Sequence, residues 1–303
     1  MSLVRRIKRY FQAERAPQLA MVDRVGIGGE QYAGQFLTPP LVVKRIANPV
    51  LSHPDGVHFF ESDFLVYAAG TLFCLEIKNY RGAIYYADGD QAQIIQQKVG
   101  RYGEEIPPKL HRNPLRQAKS FVIGLKKYLV SHADKRFAGL YIVPVAAFVR
   151  NADTDISRIW NGAEGIIYVD ELPSFFQAKR NPRFAERPSP WVIEGLEAVP
   201  RPDVLVTVSG DELRGFFPDT HLVFKVSSGE PVKVAFSEIA QVRLNRSGFS
   251  DSDTILVVFR NGRQLTYVSI DGLVRFRTLQ GTIISKHLHN TVSIVPGRPI
   301  ERL

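Results

Sequence analysis

Beyond about residue 26 the apolar positions switch repeatedly between a period of two and a period near 3.6, and each switch marks an element. Residues 41–47 form a β-rich run, and two further runs within 59–80 flank Ala68-Ala69-Gly70-Thr71, which predicts a hairpin. Another strand is expected at 83–86, and strongly apolar strands at 139–149 and 166–169. Residues 114–130 read as a helix. Asn113 suits its N-cap, Pro114 its first position, and Phe121, Leu125, Tyr128 and Leu129 supply one apolar stripe. A short helix is expected at 30–37, stopped by Pro39-Pro40 and entered through a flexible Gly26-Ile27-Gly28-Gly29. Strands mixed with helices in this way predict an α/β fold, a mixed sheet covered by helices.

The two ends differ from this middle. Residues 3–15 place Leu3, Val4, Ile7, Tyr10 and Phe11 at helical spacing among Arg5, Arg6, Lys8 and Arg9, a basic amphipathic helix assigned to 1–25. After residue 180, Pro182, Pro188, Pro190, Pro200 and Pro202 mark a stretch poor in regular structure, read as a linker over 181–202 between the 26–180 domain and the remainder. Residues 203–303 carry short β runs, VLVTV, HLVFKV, VKVAF, TILVVF, QLTYVSI and TVSIV, separated by turns such as Asn261-Gly262. They predict a separate small all-β domain, whose strand pattern resembles pleckstrin-homology-like modules and which offers a surface for protein, lipid or nucleic acid, a protein partner among them.

Composition narrows the setting. With 45% hydrophobic and 11% aromatic residues in 303, the chain can bury two cores, so disorder is not the reading. No run approaches the roughly 20 apolar residues that span a bilayer, and the N-terminal segment lacks the uninterrupted apolar stretch of a secretory signal. A single cysteine, Cys74, excludes an internal disulfide and a cysteine-based zinc site. Together these point to the cytoplasm. The net charge of +9 favours polyanionic partners, and two thirds of it falls before residue 201.

The chemistry concentrates in the 59–80 hairpin. Pairing symmetric about the Ala69–Gly70 bond sets Asp63 opposite Glu76 and Glu61 opposite Lys78, and strand alternation puts all four on one face. Phe64, Val66, Phe73, Leu75 and Ile77 then point to the other. Opposed like charges repel and buried carboxylates are costly unless compensated, and a hard divalent cation such as Mg²⁺ would compensate them. A solvated hairpin end with an ordinary Glu61–Lys78 salt bridge fits the same local pattern, so the pattern alone leaves both readings open.

The wider arrangement decides between them. Asp63, followed by Glu76-Ile77-Lys78, resembles the D…(D/E)-x-K signature of the PD-(D/E)XK nuclease superfamily. With Gly29-Glu30 opening a helix, Leu75-Glu-Ile-Lys-Asn-Tyr-Arg-Gly82, and Asn113-Pro-Leu-Arg-Gln117 at a helix start, residues 26–150 resemble the nuclease-related domain family, NERD. The resemblance implies a restriction-endonuclease-like fold and a nuclease that uses Mg²⁺ or Mn²⁺, with DNA as substrate, in repair or in defence against foreign DNA. It makes Asp63, Glu76 and Glu30 the metal ligands, Lys78 the residue that orients water and offsets charge, and Gln117 a contact to water or substrate. Lys109, Arg112, Arg116 and Lys119, on or just before the long helix, are candidate contacts to nucleic-acid phosphates. The alternative is a non-catalytic nucleic-acid- or protein-binding module that retains the nuclease fold.

Overall fold

The computed structural model describes residues 21–52, 59–87, 90–98, 100, 104, 106–183, 187–210, 212–227, 229–245, 253–279 and 282–297. The basic helix expected at 3–15 lies outside the described residues. The chain forms two compact units, one of Val22–Leu51 with Phe60–Val199, the other built mainly from Pro200–Leu303.

In the first unit, helix α1 (Met21–Gly34) precedes β1 (Val42–Ala47), and the short β2 (Val50–Ser52) and β3 (Phe59–Glu61) pair with each other. The hairpin follows as β4 (Phe64–Ala68) and β5 (Thr71–Lys78). Its register is the expected one, with Phe64 opposite Leu75 and Ala68 opposite Thr71. The connection works because Ala69 and Gly70 both take positive φ, 49° and 72°, the backbone twist of a tight two-residue hairpin turn. Next come β6 (Gly82–Ala87), β7 (Asp90–Gln97), β8 (Lys109–Arg112) and α2 (Pro114–His132), then β9 (Ile142–Phe148), β10 (Thr154–Asp155), β11 (Ile166–Tyr168), α3 (Leu172–Ala178) and α4 (Pro190–Ala198).

The central sheet runs β1-β4-β5-β9-β11. Here β4 pairs antiparallel with β1 and β5, whereas β9 is parallel to both β5 and β11, so the sheet is mixed. Both faces are covered. Phe64, Val66, Phe73, Leu75 and Ile77 pack with Ala33 of α1 and Leu172, Phe175 and Phe176 of α3 on one side. Leu65, Tyr67, Leu72 and Cys74 pack with Ala118, Phe121, Leu125 and Leu129 of α2 and Val192 and Leu196 of α4 on the other. The α2 N-cap is as expected: the Asn113 side chain accepts from the Leu115 N–H, and Pro114 occupies the first turn.

Two local expectations give way. Helix α1 begins well before residue 30 and runs through the glycines read as a flexible entry. Gly29 is there for fit, since a Cβ at this position would lie 2.9 Å from the Cβ of Asn79, so close helix–strand packing overrides the poor helix propensity of glycine. The stretch read as a linker contains α4, whose Val192 and Leu196 are buried and whose Trp191 ring meets Phe137 edge-on at 4.8 Å. Proline at its first helical position starts this helix rather than breaking structure.

The second unit is all-β, as expected. Its strands are β12 (Asp203–Thr207), β13 (Glu212–Phe216), β14 (His221–Val226), β15 (Val232–Ala235), β16 (Ile239–Asn245), β17 (Asp253–Phe259), β18 (Gln264–Thr278), β19 (Ile283–His287) and β20 (Thr291–Val295). They form one antiparallel sheet, and an additional β13–β18 pairing curls it into a half-barrel around Leu205, Phe224, Val242, Ile255, Phe276 and Ile294.

Asp203 fastens this sheet. Its two carboxylate oxygens accept the N–H groups of Phe217 and Gly297, each at 2.7 Å. Burial nevertheless raises its pKa from 3.8 to about 6, outweighing those two bonds and the nearby Arg260 charge. The folded carboxyl therefore holds its proton more tightly than the unfolded one. The stability this contributes is complete below the unfolded value of 3.8 and is lost as pH rises through about 6. At 1.36 kcal/mol per pH unit the swing is on the order of 3 kcal/mol. Urea unfolding between pH 4 and 7 is expected to show this loss in the difference between wild type and Asp203→Asn. An equal pH dependence in the two proteins would refute it.

Candidate active site

The acidic residues meet where the central hairpin leaves its ladder. Paired register had been expected to continue through Asp63–Glu76 to Glu61–Lys78, but regular pairing stops at Phe64–Leu75. At this point Ser62, 1% exposed, turns inward, its Oγ donating to the Leu75 carbonyl at 2.9 Å, and the backbone of 62–63 bonds to Asn48 and Pro49. The chain bends at Asp63, and β3 pairs with β2. The bend brings the Asp63 carboxylate onto the backbone of β5, where Oδ2 accepts the Ile77 N–H at 2.6 Å. That amide lies between Glu76 and Lys78 in the chain, so Asp63 is anchored beside both.

Glu76 is the most confined of these groups, at 2% exposure. It shares a strand face with Cys74 and Leu72 and pairs with Ala146 of β9. Its Oε1 accepts from the Lys78 ammonium at 2.5 Å, while its Oε2 is buried without a hydrogen-bond partner. Burial pushes the Glu76 carboxyl above its ordinary pKa, the charge of Asp63 pushes it further, and Lys78 opposes them. For Lys78, burial works downward, yet Glu76 and Asp63 outweigh it and hold the ammonium above its usual range. Both groups hold their protons more tightly than they would in water, a perturbation of the kind that clusters at functional sites.

The donor set fits a hard cation in part. Asp63 and Glu76 offer carboxylate oxygens, one of them unpartnered, and Mg²⁺ commonly takes one or two carboxylates and fills its remaining positions with water and substrate phosphate. Among the described residues no group of three or more His, Cys, Asp and Glu side chains is assembled to hold a metal. Glu30 is half-buried on α1, whose Gly29 packs against Asn79, the residue after Lys78. Gln117 is exposed, one turn into α2. Cys74, fully buried and with its thiol pushed up by burial, fills space in the core beside α2.

The cationic candidates lie on the surface. Lys109 and Arg112 are exposed on β8, and Arg116 and Lys119 are exposed on the following helix, where Lys126 and Lys127 are exposed as well. Of the second sheet, β10-β6-β7-β8, sequence reasoning found the strand at 83–86 but missed the others, among them β8, which carries the first two. With it went the contact between the half-buried Tyr80 and His111, whose rings stack at 4.4 Å. They are 31 positions apart in the chain, and only the alternation around the buried Ile94 and Gln96 of β7 hinted at a strand there.

No helix of the described residues is long and apolar enough to cross a membrane. Comparison with curated proteins yields no match for the chain. The segment that builds the acidic corner, residues 25–149, matches the family model of the nuclease-related domain, NERD.

Proposed function

We propose that this protein hydrolyses phosphodiester bonds in nucleic acid, DNA being the expected substrate, with Mg²⁺ or Mn²⁺ as cofactor. The observation that carries the reading is Glu76, a carboxylate at 2% exposure with one oxygen held by Lys78 and the other unpartnered, beside the anchored carboxylate of Asp63. A buried carboxylate left half-satisfied costs stability, and a site that binds a cation gives a reason for it.

In this reading Asp63 and Glu76 hold the cation, with Glu30 approaching from α1. When bound, the cation supplies Lewis acidity toward water and the phosphoryl oxygens. Lys78, fixed by its bond to Glu76, places a positive charge where negative charge develops on phosphorus-bound oxygen. Gln117 offers an amide to water or substrate. Mixed-sheet topology with helices on both faces is compatible with the restriction-endonuclease-like fold that the family resemblance implies. The reading extends to action in the cytoplasm, in DNA repair or in defence against foreign DNA, with the C-terminal half-barrel as a docking module for a protein partner.

The deciding experiment is cleavage of labelled single-stranded, duplex and nicked DNA, with an RNA control, in Mg²⁺, Mn²⁺ and EDTA. Cleavage in either metal that disappears in EDTA and in Glu76→Ala supports the enzyme. Binding of every substrate with cleavage of none supports the alternative, a binding module that keeps the nuclease fold.

Binding itself should be mainly electrostatic. Replacing Lys109, Arg112, Arg116 or Lys119 singly with alanine is expected to weaken duplex binding about equally across sequences. Each change should make the slope of log K against log salt shallower by about 0.9. Slopes equal to wild type in all four variants would remove these residues from the interface.

A further inference from the structure

One ordered cluster outside the residues assigned above borders the acidic corner. It starts at Gln96, 3% exposed, whose Nε2 donates to the Arg81 carbonyl at 2.7 Å. With the amide so oriented, Gln96 Oε1 accepts from His111 Nε2 at 3.1 Å. The imidazole then lies nearly flat on the Tyr80 ring, with centroids 4.4 Å and planes 25° apart. Tyr80 also meets Phe148 edge-on at 6.1 Å, and Phe148 is the residue paired with Lys78 in the β5–β9 ladder. Its backbone is tied down too, the Tyr80 carbonyl accepting from Thr154 Oγ1 at 2.8 Å.

The phenol at the end of this chain of contacts stands two residues past Lys78. Burial raises its pKa, and Lys78, Glu76 and Asp63 all act on it electrostatically, which places its hydroxyl within the field of the acidic corner. Among the described residues that hydroxyl makes no hydrogen bond. Tyr80 is half-buried, and the rings of His111 and Phe148 fix its own ring while the polar tip is left for something else.

We propose that Tyr80 is a further catalytic residue, its O–H donating to a phosphoryl oxygen of the substrate, and that His111 and Gln96 are positioning residues that hold its ring. The proposal rests on the phosphodiester reading above. A neutral donor facing an anionic oxygen makes a charge-assisted bond, and the raised pKa keeps the proton on Tyr80 at neutral pH. No bond to Tyr80 forms or breaks in the reaction, and its proton stays in place. Stacking by His111 removes the freedom of the ring, which preorganises the donor.

The test uses the full chain as wild type, Tyr80→Phe, His111→Ala, His111→Phe and the Tyr80→Phe/His111→Ala double variant. Cleavage is measured in Mg²⁺ and Mn²⁺, and binding of a fluorescein-labelled DNA oligonucleotide is measured in Ca²⁺. Tyr80→Phe should slow cleavage by roughly ten- to a hundredfold, the range for a hydrogen bond to a charged group. His111→Ala should slow it comparably, the double variant no more than the slower single, and His111→Phe, which keeps a flat ring, should recover most of the rate. Wild-type cleavage by Tyr80→Phe while Glu76→Ala is inactive overturns the proposal and leaves the nuclease reading standing. If wild type cleaves nothing, the nuclease reading fails and binding decides: an unchanged Kd for Tyr80→Phe overturns the phosphate contact, and roughly tenfold weaker binding supports it.

Discussion

Glu76→Ala is expected to reduce metal-dependent cleavage by about a thousandfold or more and to abolish the rise in melting temperature on adding Mg²⁺. The variant removes one oxygen held by Lys78 and one that is unpartnered, so both the candidate cation ligand and the group that fixes Lys78 disappear together. A thousandfold corresponds to about 4 kcal/mol of transition-state stabilisation, within reach of losing a metal ligand and one preorganised charge. The stability readout is independent of turnover, because cation at a hundred times its Kd would stabilise the folded wild type by about 2.7 kcal/mol and leave the variant unmoved. Binding of nucleic acid without metal should survive, since it depends on the exposed cationic residues of β8 and α2. A variant that cleaves within about threefold of wild type would show that the acidic corner is structural.

Phe73→Ala is expected to cost about 3–5 kcal/mol of folding free energy, as large aromatic truncations in packed cores do. Phe73 has no exposed surface and lies against Phe176 at 4.4 Å and Phe175 at 6.1 Å, so α3 is seated on the sheet largely through this ring. Small domains are stable by only about 5–15 kcal/mol, so such a loss is a large share of the total. Phe73→Leu, which conserves more volume, should cost less than about 1.5 kcal/mol once the core repacks. Urea unfolding of both variants checks the pair, and a loss below about 1 kcal/mol for alanine would mean that the site collapses around the missing ring. Residue 73 belongs to the same strand as Glu76 and Lys78, so the alanine variant should lose activity before it loses its fold.

The comparison of these two positions explains how much the sequence disclosed. The hairpin register, the opposed apolar face of Phe64, Val66, Phe73, Leu75 and Ile77, and the Asn113 cap are written in nearest-neighbour chemistry, and all of them are found. Asp63, Glu76 and Lys78 stood out through the family resemblance, the local pattern having left two readings open, and the Asp63–Ile77 contact lies outside the regular pairing that the pattern could foresee. The early start of α1 was hidden behind glycines that serve a contact with Asn79. The start of α4 was signalled by Ser189-Pro190, which the surrounding prolines disguised. In β7 a buried glutamine replaces the apolar residue that would have announced a strand, and its pairing with β8 brings together side chains with no local relation.

The neighbours of β5 have a consequence for how the protein comes into being. Its antiparallel partner β4 is adjacent in the chain, so that hairpin forms locally and early, whereas Glu76 and Lys78 pair on the other side with Ala146 and Phe148, about seventy residues downstream. On the ribosome the carboxylates therefore emerge long before the strand that encloses them. A nascent chain that ends before β9 lacks the strand that pairs with Glu76 and Lys78. The acidic corner is closed only once nearly half of the chain has been made.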